Sequence, residues 1–211
     1  MHCVEIAFVS YIKRVHAHHG FEPDPWRLAR RLGLDVQRGE QDALLGRVIT
    51  LHPDTHANRR RSASAVRHEI THHLLKLSGT EDQVLHLRNS YEAGLPTLEK
   101  LAYHGSLVLH IPDAVLGTAH DQHGNTPAAL LHIAELSGVE LSAAIERWVY
   151  AEVGAQRAAW VTRGGLVVHA ASANYWLPFW HYAEVQDVLE EVPNALLLPL
   201  DGRQTLGVVS W

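Results

Sequence analysis

The sequence predicts an α+β fold, with helices over most of the N-terminal half and short antiparallel strands in the C-terminal part. Apolar residues recur at helical spacing in several runs up to about residue 110. Short apolar runs, broken by glycine, proline and an Asp-Gly pair, follow residue 156. The length of 211 residues is enough for one substantial core with an appendage, or for two small domains.

Two helices and a small sheet are predicted over the first 51 residues. Phe8, Tyr11, Ile12 and Val15 fall on one face of a helix, which Gly20 ends. The first predicted helix covers Val4–His19. A short helix follows, with Asp24 as its N-cap, Pro25 at its first position and Gly33 at its end. Strands are then expected within Leu34–Leu51, around a turn at Gly39–Asp42.

A longer helix is predicted over Ser62–Leu77. The run contains no glycine or proline and has apolar residues at helical spacing, among them Val66 and Ile70. Ser62 is a suitable N-cap, because its hydroxyl can accept a hydrogen bond from a backbone N–H of the first turn. The preceding Arg59–Arg61 is interpreted as a solvated loop; docking of an acidic partner segment or of nucleic acid is the functional alternative.

This helix contains the H-E-x-x-H sequence His68-Glu69-Ile70-Thr71-His72. Residues four apart lie on one face of a helix, so His68 and His72 can bind one metal ion through two imidazole nitrogens. Glu69 then lies beside the open coordination position, where a carboxylate can take a proton from water and pass it to a leaving amine. The motif predicts a metal-dependent hydrolase; a histidine-bearing core helix without metal is the alternative.

A catalytic zinc site needs a third protein ligand, because three residues and a water fill its four positions. A third histidine at the H-E-x-x-H-x-x-G-x-x-H spacing is absent, since positions 78 and 82 hold serine and aspartate. Glu81, Glu92 and Glu99 are the downstream candidates. Glu81 is expected in a polar loop, whereas Glu99 opens an apolar helix over Leu98–Leu109, where a carboxylate needs a partner. We therefore expect Glu99 to complete the site.

The remaining elements follow from turn residues and short apolar runs. Polar residues over Ser78–Pro96 predict a loop on the rim of the cleft. One helix is expected from Pro127 to Gly138, with Asn125 or Thr126 as its N-cap, and a second over Ser142–Ala151. Four strands are expected after them, over Ala158–Thr162, Leu166–Ala170, Ala195–Leu200 and Leu206–Trp211. We interpret the helix pair as packing on the core rather than as a DNA-reading helix-turn-helix, because its second helix offers one arginine beside a glutamate.

The segment that begins at Glu99 is similar to a family motif. Residues 99–112, EKLAYHGSLVLHIP, resemble E-x-x-A-N-x-F-A-x-x-L-L-M-P, with departures that include Tyr103, Gly105 and Ile111. Residues 25–36 and 46–51 match a helix-to-strand step and a strand that precede the metal helix, and residues 133–148 match a helix pair that follows. In this order the segments resemble the ImmA/IrrE metallopeptidases over roughly residues 4–150.

The resemblance implies a minimal zincin-like core, with His68, His72 and Glu99 as metal ligands and Glu69 as general base. It also implies a protein substrate, a small helix-turn-helix transcriptional repressor. Site-specific cleavage of that repressor would release its target genes, as in a stress response. Zinc is the expected metal, although a set of two histidines, a glutamate and water also suits manganese or iron.

Some assignments stay open at this point. Tyr91, His104 and His73 have donors suited to stabilising an oxyanion, and the sequence does not choose among them. A second hypothesis is a partner-binding regulator that retains the zincin fold without cleaving. A third is a different zinc hydrolase that acts on small peptides.

We expect three parts: a metallopeptidase core over residues 1–123, a helix pair packed on it over 124–155, and a small β-rich region over 156–211 that serves substrate recognition. Four tryptophans fall in the last part, at positions 160, 176, 180 and 211. Aromatic residues at this density usually fill a small β core, and a platform that holds a partner is the alternative.

Composition narrows the class of protein. The formal net charge of −5 argues against a broadly basic surface for nucleic acid. No run of about eighteen apolar residues and no secretory signal pattern is present, so neither a membrane span nor export is expected. The single cysteine, Cys3, cannot form an internal disulfide, which favours a reducing, cytoplasmic setting.

Overall fold

The structure is a computed structural model that describes residues 2–211. That part of the chain contains ten helices, a three-stranded sheet and a four-stranded sheet, which confirms the α+β class. The chain divides into two compact units, Met1–Pro112 and Asp113–Trp211. The expected helix pair over residues 124–155 belongs to the second unit together with the C-terminal sheet; the division of function among three parts stays a prediction.

The bounds of the elements are as follows. The first unit contains α1 (His2–His18), α2 (Pro25–Arg31), β1 (Asp35–Arg38), β2 (Ala43–Leu45), β3 (Val48–Leu51), α3 (Pro53–Ala57), α4 (Arg59–Leu77), α5 (Thr80–Arg88) and α6 (Tyr91–His110). The second unit contains α7 (Asp113–His123), α8 (Pro127–Ser137), α9 (Leu141–Val149), β4 (Arg157–Arg163), β5 (Leu166–Ala173), α10 (Val188–Glu191), β6 (Leu196–Leu200) and β7 (Gln204–Ser210). Of these, α3, α5, α7 and α10 lie in segments for which no helix is predicted.

The predicted N-terminal helices are confirmed. The side chain of Asp24 accepts hydrogen bonds from the backbone N–H groups of Trp26 and Arg27 at 2.9 and 3.2 Å, and thereby caps α2. Phe8 and Ile12 of α1 are buried in the core of the first unit. The apolar faces of α4 and α6 pack in this same core. The two helices that carry the predicted site are therefore held by one set of core contacts.

The small sheet packs against α4 and has β2 at one edge. β3 pairs in parallel with β1 and antiparallel with β2, which gives the strand order β1-β3-β2. Ile49 and Leu51 of β3 are fully buried, as expected for a central strand. The outer side of β2, at Ala43 and Leu44, is an edge to which an extended segment can be added.

The start of α4 differs from the prediction. The helix begins at Arg59, so the three arginines form its first turn rather than a loop. Asn58 is the N-cap, and its side-chain oxygen accepts hydrogen bonds from the N–H groups of Arg60 and Arg61, both at 3.1 Å. Ser62 lies inside the helix, buried, with its hydroxyl donating to the carbonyl of Arg59. Asparagine is as good an N-cap as serine, and the earlier position also lengthens the helix by a turn.

The predicted loop over Ser78–Pro96 is wrong, because α5 and the first turns of α6 occupy most of it. Asn89, in the left-handed region at φ 60°, ends α5, and Ser90 caps α6 by accepting from the N–H of Ala93. Val84 of α5 is buried in the core. Burial of this one face stabilises a helix whose other faces are polar, which is why composition alone predicts a loop.

Three helices begin the second unit. Thr126 is the N-cap residue of α8, and Gly138 ends that helix in the left-handed region at φ 63°. In α9, Ile145 and Trp148 are buried, which agrees with packing rather than DNA reading as the role of the pair. The single arginine of α9, Arg147, is itself buried and pairs with Asp113.

The four predicted C-terminal strands form one antiparallel sheet of order β5-β4-β7-β6. Trp160 of β4 is fully buried, and Gly207 of β7 leaves room for its indole ring, because a Cβ atom at that glycine would collide with the ring. Trp160 also meets Phe179 edge-on, with ring centroids 5.3 Å apart. Of the four tryptophans in this region, Trp160 belongs to the core as predicted for a small β core, whereas Trp176, Trp180 and Trp211 are exposed, contrary to that prediction.

Within residues 2–211, no single helix is long and apolar enough to cross a membrane. Only α8 and α9 taken together, across a bend of 116°, reach the required length and apolar composition.

Candidate metal centre

α4 presents the H-E-x-x-H residues on a continuous helix. The Nε2 atoms of His68 and His72 lie 3.1 Å apart, and their rings meet edge-on with centroids separated by 4.7 Å. Burial lowers the pKa of His72, and the nearby imidazole of His68 lowers it further. A lowered pKa keeps the imidazole neutral, which is the form that binds a metal ion.

Glu99 reaches the same point from α6. Its Oε2 atom lies 3.2 Å from Nε2 of His68, and its Oε1 atom lies 3.5 Å from Nε2 of His72. Ligand atoms on a tetrahedral zinc ion at about 2.0–2.1 Å are separated by about 3.3–3.4 Å. The distances of 3.1, 3.2 and 3.5 Å lie near that spacing, with the last two measured to different oxygens of Glu99. One possible ligand atom from each of the three residues lies within 4.8 Å of the others. The donor set of two nitrogens and one carboxylate therefore fits a divalent metal and leaves a fourth position for water or substrate.

Close packing of α6 on α4 brings Glu99 to the histidines. Gly105 of α6 faces Thr71 of α4 and Ile12 of α1, and a Cβ atom at this glycine would collide with both side chains. The Thr71 side chain is held in place because its hydroxyl donates to the carbonyl of Arg67 at 2.9 Å. Glycine at position 105 therefore sets how closely the two metal helices approach.

Glu69 is a buried carboxyl group beside the three ligands. Burial, followed by the charges of Glu99 and Asp42, raises its pKa to about 7, whereas a hydrogen bond from the backbone N–H of Leu44 acts in the opposite direction. A carboxyl group that titrates near neutral pH can both accept and donate a proton there. Glu69 thus lies beside the three possible ligands and has a raised pKa.

A cleft of about 470 Å³ contains these four side chains. Its remaining lining comes from β2 and its preceding turn, from the end of α4, from α5 and from the start of α6. These residues are Asp42, Ala43, Leu44, Lys76, Glu81, Tyr91, Leu95 and Leu98. The edge strand β2 therefore forms part of the lining, and the rest of it is a mixture of charged and apolar side chains.

Some lining residues are not predicted from the sequence to lie at the site, although Glu81 is named there as a candidate third ligand. Asp42 ties the turn before β2 to α3, because its carboxylate accepts from the N–H of His52 at 2.6 Å and from the hydroxyl of Thr55 at 2.8 Å. Glu81 enters the cleft because it lies on α5 instead of in the expected solvated loop. A helix prediction for residues 80–88 would have been needed to find it.

The three candidate oxyanion donors lie in different places. Tyr91 lines the cleft at the first position of α6. His73 is buried and follows His72 on α4, so it points to another side of the helix, and it is not among the lining residues. His104 is not among them either, and burial, with a smaller contribution from Lys100, lowers its pKa to about 4. Of the three, the structure brings only Tyr91 to the predicted metal ligands.

Comparison of the sequence with models of known protein families finds no match, and comparison with curated proteins finds none either.

Proposed function

We propose that this chain is a metal-dependent endopeptidase in which His68, His72 and Glu99 hold the metal ion and Glu69 is the general base. The approach of possible ligand atoms from His68, His72 and Glu99 to within 4.8 Å of one another is the observation that carries the proposal. The resemblance to the ImmA/IrrE metallopeptidases supports the same four residues in the same roles. Zinc is the metal proposed, with manganese and iron as the alternatives.

When bound, the metal supplies Lewis-acid chemistry, polarising the scissile carbonyl and lowering the pKa of water. The chain itself moves the proton. Glu69 accepts it from the attacking water and returns it to the nitrogen of the leaving amine, so one carboxyl group serves both halves of hydrolysis. Tyr91 is the proposed donor to the oxyanion, because its hydroxyl is on a side chain that lines the cleft.

The shape of the cleft favours a peptide as substrate. β2 is an edge strand of its sheet and lines the cleft, and pairing of an extended chain with such an edge binds peptides largely independently of sequence. Leu95 also lines the cleft and is 38% exposed, so it can provide an apolar contact for a substrate side chain. Cleavage within a protein segment therefore suits this site better than hydrolysis of a small peptide.

The proposed substrate is a cognate helix-turn-helix repressor, and cleavage would relieve repression of its target genes in the cytoplasm. This part of the proposal rests on the family resemblance. The rival is a regulator that binds the repressor without cutting it. Direct binding of the chain to nucleic acid or to a membrane is not proposed.

The test is incubation with a small helix-turn-helix repressor encoded beside this chain. The protein is first stripped with a chelator and then supplied with zinc, manganese or iron(II), and the products are identified by mass spectrometry. We expect one cleavage site, a requirement for added metal and loss of cleavage when the chelator is returned. Binding without cleavage under every metal condition would support the non-cleaving regulator instead, and cleavage that persists in chelator would contradict a metal-dependent mechanism.

A further inference from the structure

Residues 174–187, which we call the edge segment, cover the outer edge of β5. The N–H of Tyr182 donates to the carbonyl of Val167 at 2.8 Å, and the N–H of Val167 donates to the carbonyl of Ala183 at 2.9 Å. Further along, the N–H of Val185 donates to the carbonyl of Gly165 at 2.8 Å. These backbone hydrogen bonds fix the edge segment on the sheet and remove the edge of β5 as a site for strand addition.

The edge segment directs aromatic side chains outward. Trp176 and Tyr182 are each 81% exposed and Trp180 is 48% exposed, whereas Phe179 is buried against Trp160. The rings of Trp180, His181 and Tyr182 follow one another in contact, at centroid distances of 5.5 and 6.3 Å. Folding thus buries the anchoring phenylalanine and leaves two tryptophans and a tyrosine in solvent.

Backbone geometry supports the outward position of Tyr182. Its φ of 65° lies in the left-handed region, which non-glycine residues rarely adopt. Strained residues of this kind persist where the surroundings hold them, and they concentrate at binding sites. A large ring that is both exposed and held by a strained backbone needs an explanation other than core packing.

The surface around these rings is acidic. Between Gly164 and Gly202 the sequence contains five acidic residues and neither lysine nor arginine, although the formal net charge of the whole chain is only −5. Glu184, Asp187, Glu190 and Glu191 are all exposed. The stretch that carries the exposed aromatic residues therefore has a net negative charge, and the nearest basic residues in the sequence are Arg163 and Arg203 on either side of it.

We propose that the edge segment, with Glu190 and Glu191 beyond it, binds a lysine- and arginine-rich segment of a partner protein. Tryptophan and tyrosine faces attract guanidinium and ammonium groups, and the nearby carboxylates complete the recognition by ion pairing. Tryptophan and tyrosine are also the residues on which protein interfaces most depend. Negative charge excludes nucleic acid as the occupant of this surface, because phosphate groups would be repelled. The inference does not depend on peptidase activity.

Binding can be measured with a fluorescein-labelled peptide of twelve alternating arginine and alanine residues, titrated with the metal-free protein and followed by anisotropy. The counterpart peptide has glutamate in place of arginine. Trp176→Ala combined with Tyr182→Asn removes both fully exposed rings, and asparagine tolerates the left-handed backbone at position 182. We expect this double variant to weaken binding by about tenfold, as two exposed cation–π contacts would.

Charge is tested separately by the triple variant Glu184→Gln, Glu190→Gln and Glu191→Gln, which should also weaken binding about tenfold at low salt. The matched control, Glu40→Gln with Asp121→Asn and Glu135→Gln, removes the same number of exposed carboxylates elsewhere. Trp211→Ala is the aromatic control, because Trp211 is 70% exposed and lies outside the edge segment. Circular dichroism and thermal unfolding of every variant exclude misfolding as the cause.

Loss of binding confined to the edge-segment variants, with no binding of the glutamate peptide, supports the proposal. Equal weakening by the charge control would show general electrostatic attraction and overturn it. Unchanged binding of both edge-segment variants, or equal affinity for the two peptides, would also overturn it. Because every titration uses metal-free protein, these outcomes are independent of whether the chain cleaves anything.

Discussion

Thr71 of α4 occupies the space that a side chain on Gly105 of α6 would need. The nearest atom of Ile12, Cδ1, lies 2.6 Å from where a Cβ on Gly105 would stand, so the crowding has two sources. Glu99 and the histidines proposed as metal ligands lie on these same two helices, so we expect the contact to affect their spacing as well as the packing of the core.

Gly105→Ala should therefore weaken zinc binding by about tenfold or more, because α6 must move away from α4 and carry Glu99 with it. The same change should lower the free energy of unfolding by about 1–3 kcal/mol through overpacking. Calorimetric zinc titration and chemical denaturation of the metal-free protein measure the two effects.

Gly117→Ala is the matched control, because Gly117 lies in α7 with open space where its Cβ would be. It should raise stability by about 0.5–1 kcal/mol, as alanine does in a helix interior, and leave zinc affinity unchanged. Equal zinc affinity in Gly105→Ala and the native protein would show that the Thr71 contact does not position Glu99.

Glu99→Ala should reduce zinc affinity by about a hundredfold or more, since it removes one of three ligands. Glu81→Ala and Glu92→Ala should have little effect. Glu81 lines the cleft without joining the three ligand atoms, and Glu92 lies outside the cleft lining. Zinc affinity that is lost with Glu81 or Glu92 and kept without Glu99 would identify a different third ligand.

His104 should make the metal-free protein less stable in acid. Its pKa in the folded state, about 4, lies below the ordinary value of 6.5, so between these values the unfolded chain binds the additional proton. The stability associated with the neutral, buried form of His104 is therefore present above about pH 6.5 and is lost as the pH falls towards 4. Between pH 7 and pH 4.5 this amounts to about 2–3 kcal/mol.

His104→Gln tests this shift, because glutamine does not titrate. Chemical denaturation should show that stability falls less between pH 7 and pH 4.5 in the variant than in the native protein. The two losses should differ by about 2–3 kcal/mol. Identical losses in the two proteins would mean that His104 is protonated at the same pH in the folded and unfolded chains.

The sequence predicts the ligand set because the chemistry leaves a local pattern. His68, Glu69 and His72 follow one helical period, and Glu99 is a carboxylate at the start of an apolar run. The strands after residue 156 are predicted for the same reason, since glycine and proline mark their ends. Local patterns of this kind can be recognised in the sequence without knowledge of the tertiary structure.

Other features depend on contacts between distant segments. α5 has a weak apolar face that becomes evident only when Val84 is buried in the core. Asp42 and Leu44 join the cleft through the pairing of β2 with β3, and Gly105 has its role only because Thr71 faces it. The site of the ligands is thus largely predictable, whereas the walls of the cleft are not.

Glu69→Gln, assayed for zinc content and for cleavage of the repressor on the same preparation, tests the central claim most directly. The amide cannot accept the proton of water, while His68, His72 and Glu99 remain to hold the metal. We expect one bound zinc per chain and a loss of cleavage of about a hundredfold to ten-thousandfold, the range expected when a general base is removed. Cleavage close to that of the native protein, with zinc bound, would contradict the assignment of Glu69 as the general base.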